Sequence, residues 1–398
     1  MRRHRFLRAN ELQPRYDVVI IGGGGHGLAT AYYLARRHGV RSVAVLERAY
    51  IGAGGTGRNT TVLRANYKTP ETIRFFKASF DLYASLAQEV DFNMLRSPRG
   101  LLWLAHSEPQ LRNQRERALQ NQHFGVDTVY LSAEEVHAVC PPLDMTGGGK
   151  RPILGAAYHP PGAIIRHDAV VWGYAAAAQR LGVHVHQGVE VTGLTVRAGR
   201  CEGVVTSQGP IAAGAVLSAV GGYVTQIADM AGVRLPIVTH PLQAYVTESY
   251  LPVLDRIVAS ADLHIYISQS ARGELLVGAE IDPYTSYSTR STFPFLASAS
   301  ARAIDLFPFM AKLRVLRQWT GVCDMTPDYS PLLGTSEVER FYISSGWGTW
   351  GFKAIPISGV TMAELIATGR VPELITPFAL SRFLADRAVP ERASAGTH

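Results

Sequence analysis

Three glycines near the N-terminus have the spacing of a dinucleotide-binding turn. Gly22, Gly24 and Gly27 follow the apolar run 17–21, which predicts a buried strand, and they lead into the helical stretch 26–39. In such a turn the first glycine permits a tight bend, the second lets the backbone approach a pyrophosphate, and the third lets helix and strand pack closely. Because the helix start also offers free N–H groups to phosphates, the segment predicts a nucleotide site.

The next strand carries an acid at the position that such a site uses for ribose. Glu47 ends the predicted strand 42–47, where its carboxylate can accept hydrogen bonds from ribose hydroxyls. A second glycine-rich loop, GAGGTGRNTT at residues 52–61, follows closely. This loop either passes close to a flavin or a pyrophosphate or forms a flexible surface loop. The first glycine motif alone does not separate FAD from NAD, and a second loop of this kind helps to separate them.

Composition narrows the class of protein. The chain has 398 residues, 47% of them hydrophobic and 18% charged, which indicates a globular protein of two intertwined domains. No apolar run is long enough to span a bilayer, and the basic start lacks the apolar segment of a signal peptide. Cys140, Cys201 and Cys323 show no CxxC pairing, which predicts neither disulfides nor a zinc site and favours a reducing cytoplasm.

Neither the charge nor the histidines indicate a nucleic-acid or metal site. The net charge of +7 comes from scattered Lys and Arg, whereas nucleic-acid-binding proteins usually concentrate charge in blocks. It predicts a solvated basic surface or, alternatively, attraction of anionic ligands or an acidic partner subunit. His184 and His186 alternate along a predicted strand, but neither these two nor His240 have a further ligand close in sequence, so no metal is predicted.

The order of the predicted elements indicates a mixed α/β and α+β fold. After the first βαβ unit, residues 70–125 have an amphipathic helical pattern, and another helix is predicted at 167–182. Residues 236–320 are predicted to form strands with one helix at about 297–306. A last helix is predicted at 357–369, after a glycine-rich turn.

These elements predict a Rossmann-like nucleotide-binding domain interleaved with a mixed β-sheet substrate domain, with several crossings of the chain between them. The predicted limits are 16–95, 159–235 and 322–380 for the nucleotide-binding domain, 96–158 and 236–321 for the substrate domain, and 1–15 and 388–398 for an arm and a tail.

Six segments resemble the beta subunits of heterotetrameric sarcosine oxidases, which belong to the D-amino-acid-oxidase-like flavoproteins. The segments are DVVIIGGGGHGLATAYYLA, GRNTTVLRANY, RHDAVVWGYA, LQAYVTE, IYISQS and GWGTWGFKAIPISG. The resemblance runs in order from about residue 16 to 375, and GRNTT and RHDA are its more specific pieces, because many flavoproteins share the glycine motif. It implies that the nucleotide is FAD. Further predicted cofactor contacts are Arg58, Asn59, Thr60, Gly348 and Gly351.

The resemblance also implies a chemistry. A secondary amine such as N-methylglycine would give a hydride to FAD and become an imine. The electrons would pass to FMN, where oxygen is reduced to hydrogen peroxide. An alpha subunit would bind tetrahydrofolate to capture the one-carbon unit, which is otherwise released as formaldehyde, and gamma and delta subunits would complete the complex.

The resemblance assigns roles to three residues. His167 in RHDA matches the histidine that bonds the 8α-methyl group of FMN, a step that needs a neutral imidazole nitrogen. The alternative is a histidine that begins a helix beside Asp168. Arg64 and Lys353 match the two cations that hold the substrate carboxylate, Arg by a bidentate clamp and Lys by a point charge. The alternative for each is a surface cation.

The sequence departs from the monomeric sarcosine oxidases at two places. Their FAD-attaching cysteine aligns with Gly321, with Cys323 two residues further on, so FAD is expected to be non-covalent. Their oxygen-activating lysine aligns with Leu276, so oxygen is expected to react elsewhere. Two other functions remain open, an FAD-dependent dehydrogenase of another N-alkyl or cyclic amino acid such as dimethylglycine or proline, and a non-catalytic flavoprotein scaffold.

Overall fold

The computed structural model describes residues 7–391. Residues 1–6 of the predicted arm and residues 392–398 of the predicted tail lie outside this range. The described part of the chain forms three β-sheets with helices packed against them.

The strands and helices of the described chain have the following bounds. The strands are β1 (Arg15–Ile21), β2 (Val43–Glu47), β3 (Val62–Leu63), β4 (Ser97–Pro98), β5 (Leu101–Ala105), β6 (Val129–Ser132), β7 (Gly155–His159), β8 (Ala163–Ile164), β9 (His184–Gln187), β10 (Val191–Arg197), β11 (Arg200–Thr206), β12 (Gly209–Ser218), β13 (Val238–Ser249), β14 (Ile257–Ser260), β15 (Ile265–Gln269), β16 (Glu274–Ile281), β17 (Val315–Met325), β18 (Leu332–Thr335) and β19 (Phe341–Ser345). The helices are α1 (Gly25–His38), α2 (Gly55–Arg58), α3 (Pro70–Glu89), α4 (Glu108–His123), α5 (Ala133–Val139), α6 (His167–Arg180), α7 (Val224–Asp229), α8 (Phe293–Leu306) and α9 (Gly351–Thr368).

The first sheet carries the glycine-rich turn. Its strands run in the order β10-β11-β12-β1-β2-β9, with β19 beside β12 and β18 beside β19. Strands β12, β1, β2 and β9 are parallel, whereas β10, β11 and the start of β12 form an antiparallel meander. The turn therefore lies at the carboxyl end of β1, which is the edge where open α/β sheets bind ligands.

The second sheet has the order β17-β13-β16-β15-β14-β5-β7-β6, and its one parallel pair is β14 with β5. Side chains alternate between the two faces of a strand. Along β5, Leu102 and Leu104 enter the core that α8 covers, while Leu101 and Trp103 lie on the opposite face. A third, small antiparallel sheet has the strand order β3-β8-β4, and its strands come from chain segments that lie between those of the two larger sheets.

Helices α1 and α9 pack closely against each other over the first sheet. A Cβ atom on Gly359 of α9 would lie 2.6 Å from the Cβ atom of Ala29 in α1, so glycine is needed for this approach. Gly39 ends α1 in the left-handed conformation with φ of 69°, as predicted from its position. The start of α9 is thereby fixed relative to the glycine-rich turn at the start of α1.

The predicted combination of a Rossmann-like domain and a mixed-sheet domain is confirmed. Three local predictions differ from the structure. Residues 101–105 form strand β5, not helix, and α8 and α9 begin at Phe293 and Gly351, earlier than predicted. The limits of the two domains stay a prediction, and β17 runs across the proposed limit between residues 321 and 322.

The described end of the chain is bound to the body of the protein, although the sequence analysis assigned residues 388–398 to a tail. Arg382 forms a bidentate ion pair with Asp328 at 2.8 and 2.9 Å, and both side chains are only 3% exposed. The Val389 amide donates to the same carboxylate, and Ser330 Oγ donates to the Val389 carbonyl. The C-terminal segment, defined here as residues 380–391, is therefore part of the folded structure.

This buried pair generates a stability prediction. Arg382→Ala leaves Asp328 buried without its partner, so it should lower the free energy of unfolding by about 3–5 kcal/mol. The matched control is Arg370→Ala, which removes an exposed pair with Glu364 and should cost less than about 1 kcal/mol. Urea unfolding of both variants measures the difference, and equal losses would show that the Arg382 pair contributes no more than a surface pair.

Candidate active site

A cavity of about 320 Å³ lies between the first and second sheets, with the start of α9 at one side. Ten of the twelve predicted site residues line it: Gly22, Gly24, Glu47, Arg58, Asn59, Thr60, Arg64, Gly348, Gly351 and Lys353. The other two, Gly27 and His167, lie outside its wall.

The three glycines of the turn have different surroundings. Gly22 has a φ of 109°, a conformation that favours glycine, and a Cβ on Gly27 would lie 2.1 Å from the Gly22 carbonyl oxygen. Gly27 thus permits the close approach of α1 to β1. A Cβ on Gly24 would meet Thr56 Oγ1 at 3.2 Å and no other described atom within 4 Å. The protein leaves space at Gly24, as a pyrophosphate-binding glycine requires.

The helix start and the acid of β2 are oriented by backbone hydrogen bonds. Gly24 caps α1 without a side-chain acceptor of its own, and the Gly25 amide donates to Thr56 Oγ1 at 3.1 Å, so the N–H groups that remain in the first turn are the ones offered to a phosphate. Glu47 accepts from the Gly23 amide at 2.9 Å through Oε2 and from the Ala49 amide at 2.9 Å through Oε1. Each oxygen keeps a second lone pair, which can accept a hydroxyl proton from ribose.

The loop 52–61 is fixed to the second sheet by its own polar side chains. Arg58 donates to the Thr320 carbonyl at 3.0 Å, and Thr60 Oγ1 donates to the Tyr266 hydroxyl at 3.0 Å. Asn59 accepts from the Thr61 amide at 2.6 Å. These three residues line the cavity as predicted, but the bonds of their side chains show that they also hold the loop in place.

Several buried polar atoms on the cavity wall have no partner among the described residues. They are the indole Nε1 atoms of Trp347 and Trp350 and the hydroxyl of Ser344. Trp347 is held by stacking on His26 with the ring centres 4.0 Å apart. Because buried polar groups are nearly always hydrogen-bonded, these atoms fit a wall that meets a polar cofactor or substrate.

Arg64 is 4% exposed and faces the cavity. Its guanidinium lies over the Tyr67 ring at 4.1 Å and the Trp103 ring at 5.0 Å, and it donates to the Asn66 carbonyl at 2.5 Å. Burial lowers the pKa of Arg64 from its ordinary value, although the group stays cationic. The aromatic faces and the carbonyl fix the plane of the guanidinium, which suits bidentate binding of a carboxylate.

Lys353 lies in the first turn of α9, and its ammonium faces the same cavity. Burial, and then the charge of Arg64, lower the pKa of Lys353 to about 7. Its Nζ donates to the Thr349 carbonyl at 3.3 Å. The two predicted cations are therefore close enough to repel each other, and an anion bound between them would relieve this repulsion.

Two residues that shape the site were not predicted from the sequence. Asp324 lines the cavity, accepts from the Gly346 amide at 2.6 Å, and has a pKa that burial raises to about 6. His159 accepts from the Ala65 amide at 3.3 Å and donates through Nδ1 to the Asp127 carbonyl at 2.6 Å. No local pattern singles out either residue, because their partners are distant in sequence.

His167 is the first residue of α6 and lies apart from the cavity. Its side chain is 29% exposed, and its Nδ1 has no hydrogen-bond partner among residues 7–391. Burial lowers the pKa of His167, although Asp168 opposes this effect, so the ring is neutral at physiological pH. A half-buried neutral imidazole with an unused nitrogen is chemically able to act as a nucleophile.

The two departures from the monomeric enzymes have different outcomes. Gly321 and Cys323 both line the cavity. Leu276 does not line it, although it shares a face of β16 with Gly278, on which the Tyr266 ring lies.

The three histidines considered for a metal have other contacts. The Tyr16 hydroxyl lies 3.0 Å from His184 Nδ1 and 3.2 Å from His186 Nε2, and His240 Nδ1 lies 2.9 Å from the Asp282 carbonyl. Within residues 7–391 no cluster of three His, Cys, Asp or Glu side chains could hold a metal ion.

The geometry of the turn, the acid and the cavity agrees with a known family. A family model described as FAD dependent oxidoreductase matches residues 17–365. The chain belongs to this family.

The chain is also similar to individual FAD-dependent proteins over nearly its whole length. It is 42% identical to a sarcosine oxidase subunit beta of Arthrobacter sp., over 98% of this chain and 96% of the relative. It is 42% identical to the subunit of the same name from Rhodobacter capsulatus, over 97% of this chain and 93% of the relative. The predicted membership among the sarcosine oxidase beta subunits, and with it an FAD-dependent amine oxidoreductase, is confirmed.

Solved structures support the same fold. An L-proline dehydrogenase from P. horikoshii superposes with a TM-score of 0.87 at 27% identity, covering 94% of this chain and 99% of that protein. A glycine oxidase from Geobacillus kaustophilus superposes with a TM-score of 0.84 at 23% identity, covering 93% and 99%, and shows the fold alone. No helix within residues 7–391 is long and apolar enough to cross a membrane.

The open space at Gly24 generates a prediction about FAD. Gly24→Val should leave the fold intact, because the new side chain meets only Thr56 Oγ1 within reach, but it should block the pyrophosphate and abolish FAD binding. The control is Gly193→Val in β10, where the added Cβ makes an ordinary contact of 3.5 Å outside the cavity. Flavin absorbance per folded protein measures the effect, and full occupancy in Gly24→Val would refute the placement of the pyrophosphate.

Proposed function

We propose that this chain is the substrate-oxidising beta subunit of a sarcosine oxidase complex, which converts N-methylglycine to glycine. The observation that carries the proposal is the meeting of Arg64 and Lys353 in the cavity that the glycine-rich turn opens into. A carboxylate-bearing amine is the small molecule that two buried cations beside an oxidising cofactor would select. The name of the 42% identical relatives supports the same substrate.

The residues present fit non-covalent FAD. Glu47 and the first turn of α1 would hold the ADP half, and Trp347, Trp350 and Ser344 offer unpartnered polar atoms further along the wall. The bound FAD supplies a hydride acceptor, which turns the C–N bond of a secondary amine into an imine. The absence of a cysteine side chain at Gly321 supports non-covalent binding.

The protein's own part in the reaction is to orient the amine. Arg64, held by Tyr67 and Trp103, would bind both carboxylate oxygens, and Lys353 would add a positive charge from the first turn of α9. Fixing the carboxylate leaves the N-methyl carbon one orientation in a cavity lined by aromatic side chains. Such positioning lowers the activation free energy because the orientation is fixed before the reaction.

We place a second flavin, covalent FMN, at His167. The neutral ring and the unused Nδ1 support attachment there, and the position outside the cavity leaves the FAD site undisturbed. The FMN supplies a centre at which oxygen is reduced to hydrogen peroxide. Alpha, gamma and delta subunits would complete the complex, with the one-carbon unit passed to tetrahydrofolate or released as formaldehyde.

A second candidate function is a dehydrogenase that oxidises a cyclic or another N-alkyl amino acid and passes electrons to a different acceptor. The L-proline dehydrogenase that superposes at 27% identity favours it. Both candidates use the same carboxylate clamp. What separates them is whether the complex carries a second flavin. A non-catalytic flavoprotein scaffold is the third alternative, and bleaching of the bound flavin by an N-methyl amino acid would exclude it.

The clamp can be tested by removing each cation. Arg64→Ala and Lys353→Met should each raise KM for N-methylglycine about tenfold to a hundredfold, since a charge-assisted hydrogen bond contributes about 1.5–3 kcal/mol. In the wild type, KM should rise from about pH 6 to about pH 9, because the ammonium of Lys353 loses its proton above a pKa of about 7. Steady-state kinetics should show this rise abolished in Lys353→Met.

Two controls belong to this test. Lys77→Met removes an exposed lysine of α3 and should leave the kinetics unchanged. Dimethylamine lacks a carboxylate, so its oxidation should be affected little by either active-site variant. Equal losses with dimethylamine and N-methylglycine would contradict a carboxylate clamp.

The second flavin can be tested through His167. In the co-expressed complex, acid precipitation should release FAD and leave FMN attached to the peptide that contains His167. His167→Asn should abolish the acid-stable flavin while FAD stays bound, because the residues predicted to hold the FAD phosphates lie in a different part of the structure. Absorbance of the supernatant measures the released FAD, and mass spectrometry of the peptides identifies the residue that carries FMN.

The control variant is His38→Asn, at the end of α1, which should retain both flavins. FMN on another residue would refute attachment at His167. Finding FAD as the sole flavin of the intact complex would instead favour the dehydrogenase.

A further inference from the structure

Two buried guanidinium groups lie on the same tryptophan. Arg117, in α4, is 2% exposed, and its Cζ lies 4.4 Å from the centre of the Trp103 ring. The Cζ of Arg64 lies 5.0 Å from the same ring. Burial, and then the charge of Arg64, lower the pKa of Arg117 to about 9. Two like charges buried this close repel each other, and a nearby anion lowers the free-energy cost of burying them.

One carboxylate enters this region from the other end of the chain. Glu391 is 1% exposed and accepts hydrogen bonds through Oε2 from the Lys68 amide at 3.0 Å and the Thr69 amide at 3.2 Å. The Thr72 hydroxyl donates to the same oxygen at 2.5 Å. The other oxygen, Oε1, is buried and has no hydrogen-bond partner among the described residues. Oε2 thus fixes the segment 68–72 through three hydrogen bonds, while Oε1 makes none among the described residues.

The bonds of Glu391 act on the segment that holds Arg64. Residues Asn66 and Tyr67 contact the Arg64 guanidinium, and Glu391 fixes the two amides that follow them. The carboxylate also raises the pKa of both Arg64 and Arg117 above the values that burial would give them. Glu391 therefore acts on the guanidinium by position and by charge.

The other titratable groups around the two arginines carry no negative charge. Tyr67 follows β3, and burial raises the pKa of its phenol well above the ordinary value, so the phenol stays protonated. His159 in β7 is neutral, since burial lowers its pKa to about 4. Lys353 in α9 adds positive charge. Among the described residues, Glu391 is the carboxylate that acts on both Arg64 and Arg117.

We propose that Glu391 is a positioning residue of the carboxylate-binding site, and that the C-terminal segment completes this site by fixing the amides that follow the two residues in contact with Arg64. The inference rests on the proposed clamp. It gives the segment anchored by Arg382 and Asp328 a role in substrate binding, since this anchor holds the backbone just before Glu391. The substrate's carboxylate then meets a guanidinium whose plane and charge are both fixed.

Glu391→Gln separates charge from position. The Gln carbonyl oxygen can accept the same three hydrogen bonds, and the amide replaces the oxygen that has no described partner. The probe is methoxyacetate, which has the shape and carboxylate of N-methylglycine but cannot be oxidised as an amine. Calorimetry on the co-expressed holoenzyme should show methoxyacetate bound no more weakly in Glu391→Gln than in the wild type, because Arg64 stays cationic and its surroundings keep their position. Glu391→Ala loses the three hydrogen bonds, so it should weaken binding about twofold to a hundredfold, the range for coupled neighbouring residues.

The pH dependence of binding should be the same in Glu391→Gln as in the wild type. The loss of binding at alkaline pH follows the ammonium of Lys353, whose pKa is lowered by burial and by the charge of Arg64, while Arg64 itself stays cationic. A purely structural role of Glu391 would lower the free energy of unfolding in Glu391→Ala but leave methoxyacetate binding by the folded protein unchanged.

Val389→Ala is the matched control, because it shortens a buried side chain of the same segment and keeps the carboxylate. It should bind methoxyacetate as the wild type does. Normal binding in Glu391→Ala, with weak binding in Arg64→Ala, would overturn the inference and leave the clamp standing. Normal binding in Arg64→Ala would overturn the proposed clamp itself, and the role of Glu391 with it.

Discussion

The burial of positive charge beside the cavity is the constraint on which the rest of the site depends. Moving a guanidinium or an ammonium out of water costs several kcal/mol unless other groups replace the lost hydration. Around Arg64 the replacement comes from two aromatic faces and a backbone carbonyl. Lys353 has less compensation, and its lowered pKa is the consequence. A site prepared in this way binds an anion strongly because part of the desolvation has already occurred on folding.

Each part of the fold contributes one group to that arrangement. The alternation of β5 turns Trp103 toward the cavity while its neighbours fill the core under α8. Helix α9 begins at Gly351 and places Lys353 within its first turn, and the contact of Gly359 with Ala29 fixes α9 against α1. The nucleotide turn and Lys353 thus lie at the starts of two closely packed helices, so a cofactor bound at α1 and a substrate held by Lys353 keep a constant separation.

Local features were predicted well because their physical causes are local. The turn from Gly22 to Gly27 is determined by backbone conformation and close contact within a few residues, and sequence spacing records both. The run LLWLA at 101–105 was misassigned because a short apolar run has no period that separates strand from helix. Glu391 was assigned to a tail because its partner Thr72 lies 319 residues away, a contact that no local pattern contains. The helix α9 was predicted to begin at residue 357 because Gly348 and Gly351 indicated a turn, whereas it begins at Gly351.

The small sheet β3-β8-β4 gives the two proposed flavin positions a short structural connection. Thr61 lines the cavity, and its carbonyl accepts a hydrogen bond from the Ile165 amide at 3.2 Å, two residues before His167. His167 nevertheless lies outside the cavity wall. A site for oxygen reduction at His167 would therefore be near the site of amine oxidation but separated from it by backbone. This separation would let the cavity stay closed around the amine while oxygen reacts from another surface, so that one site need not admit both.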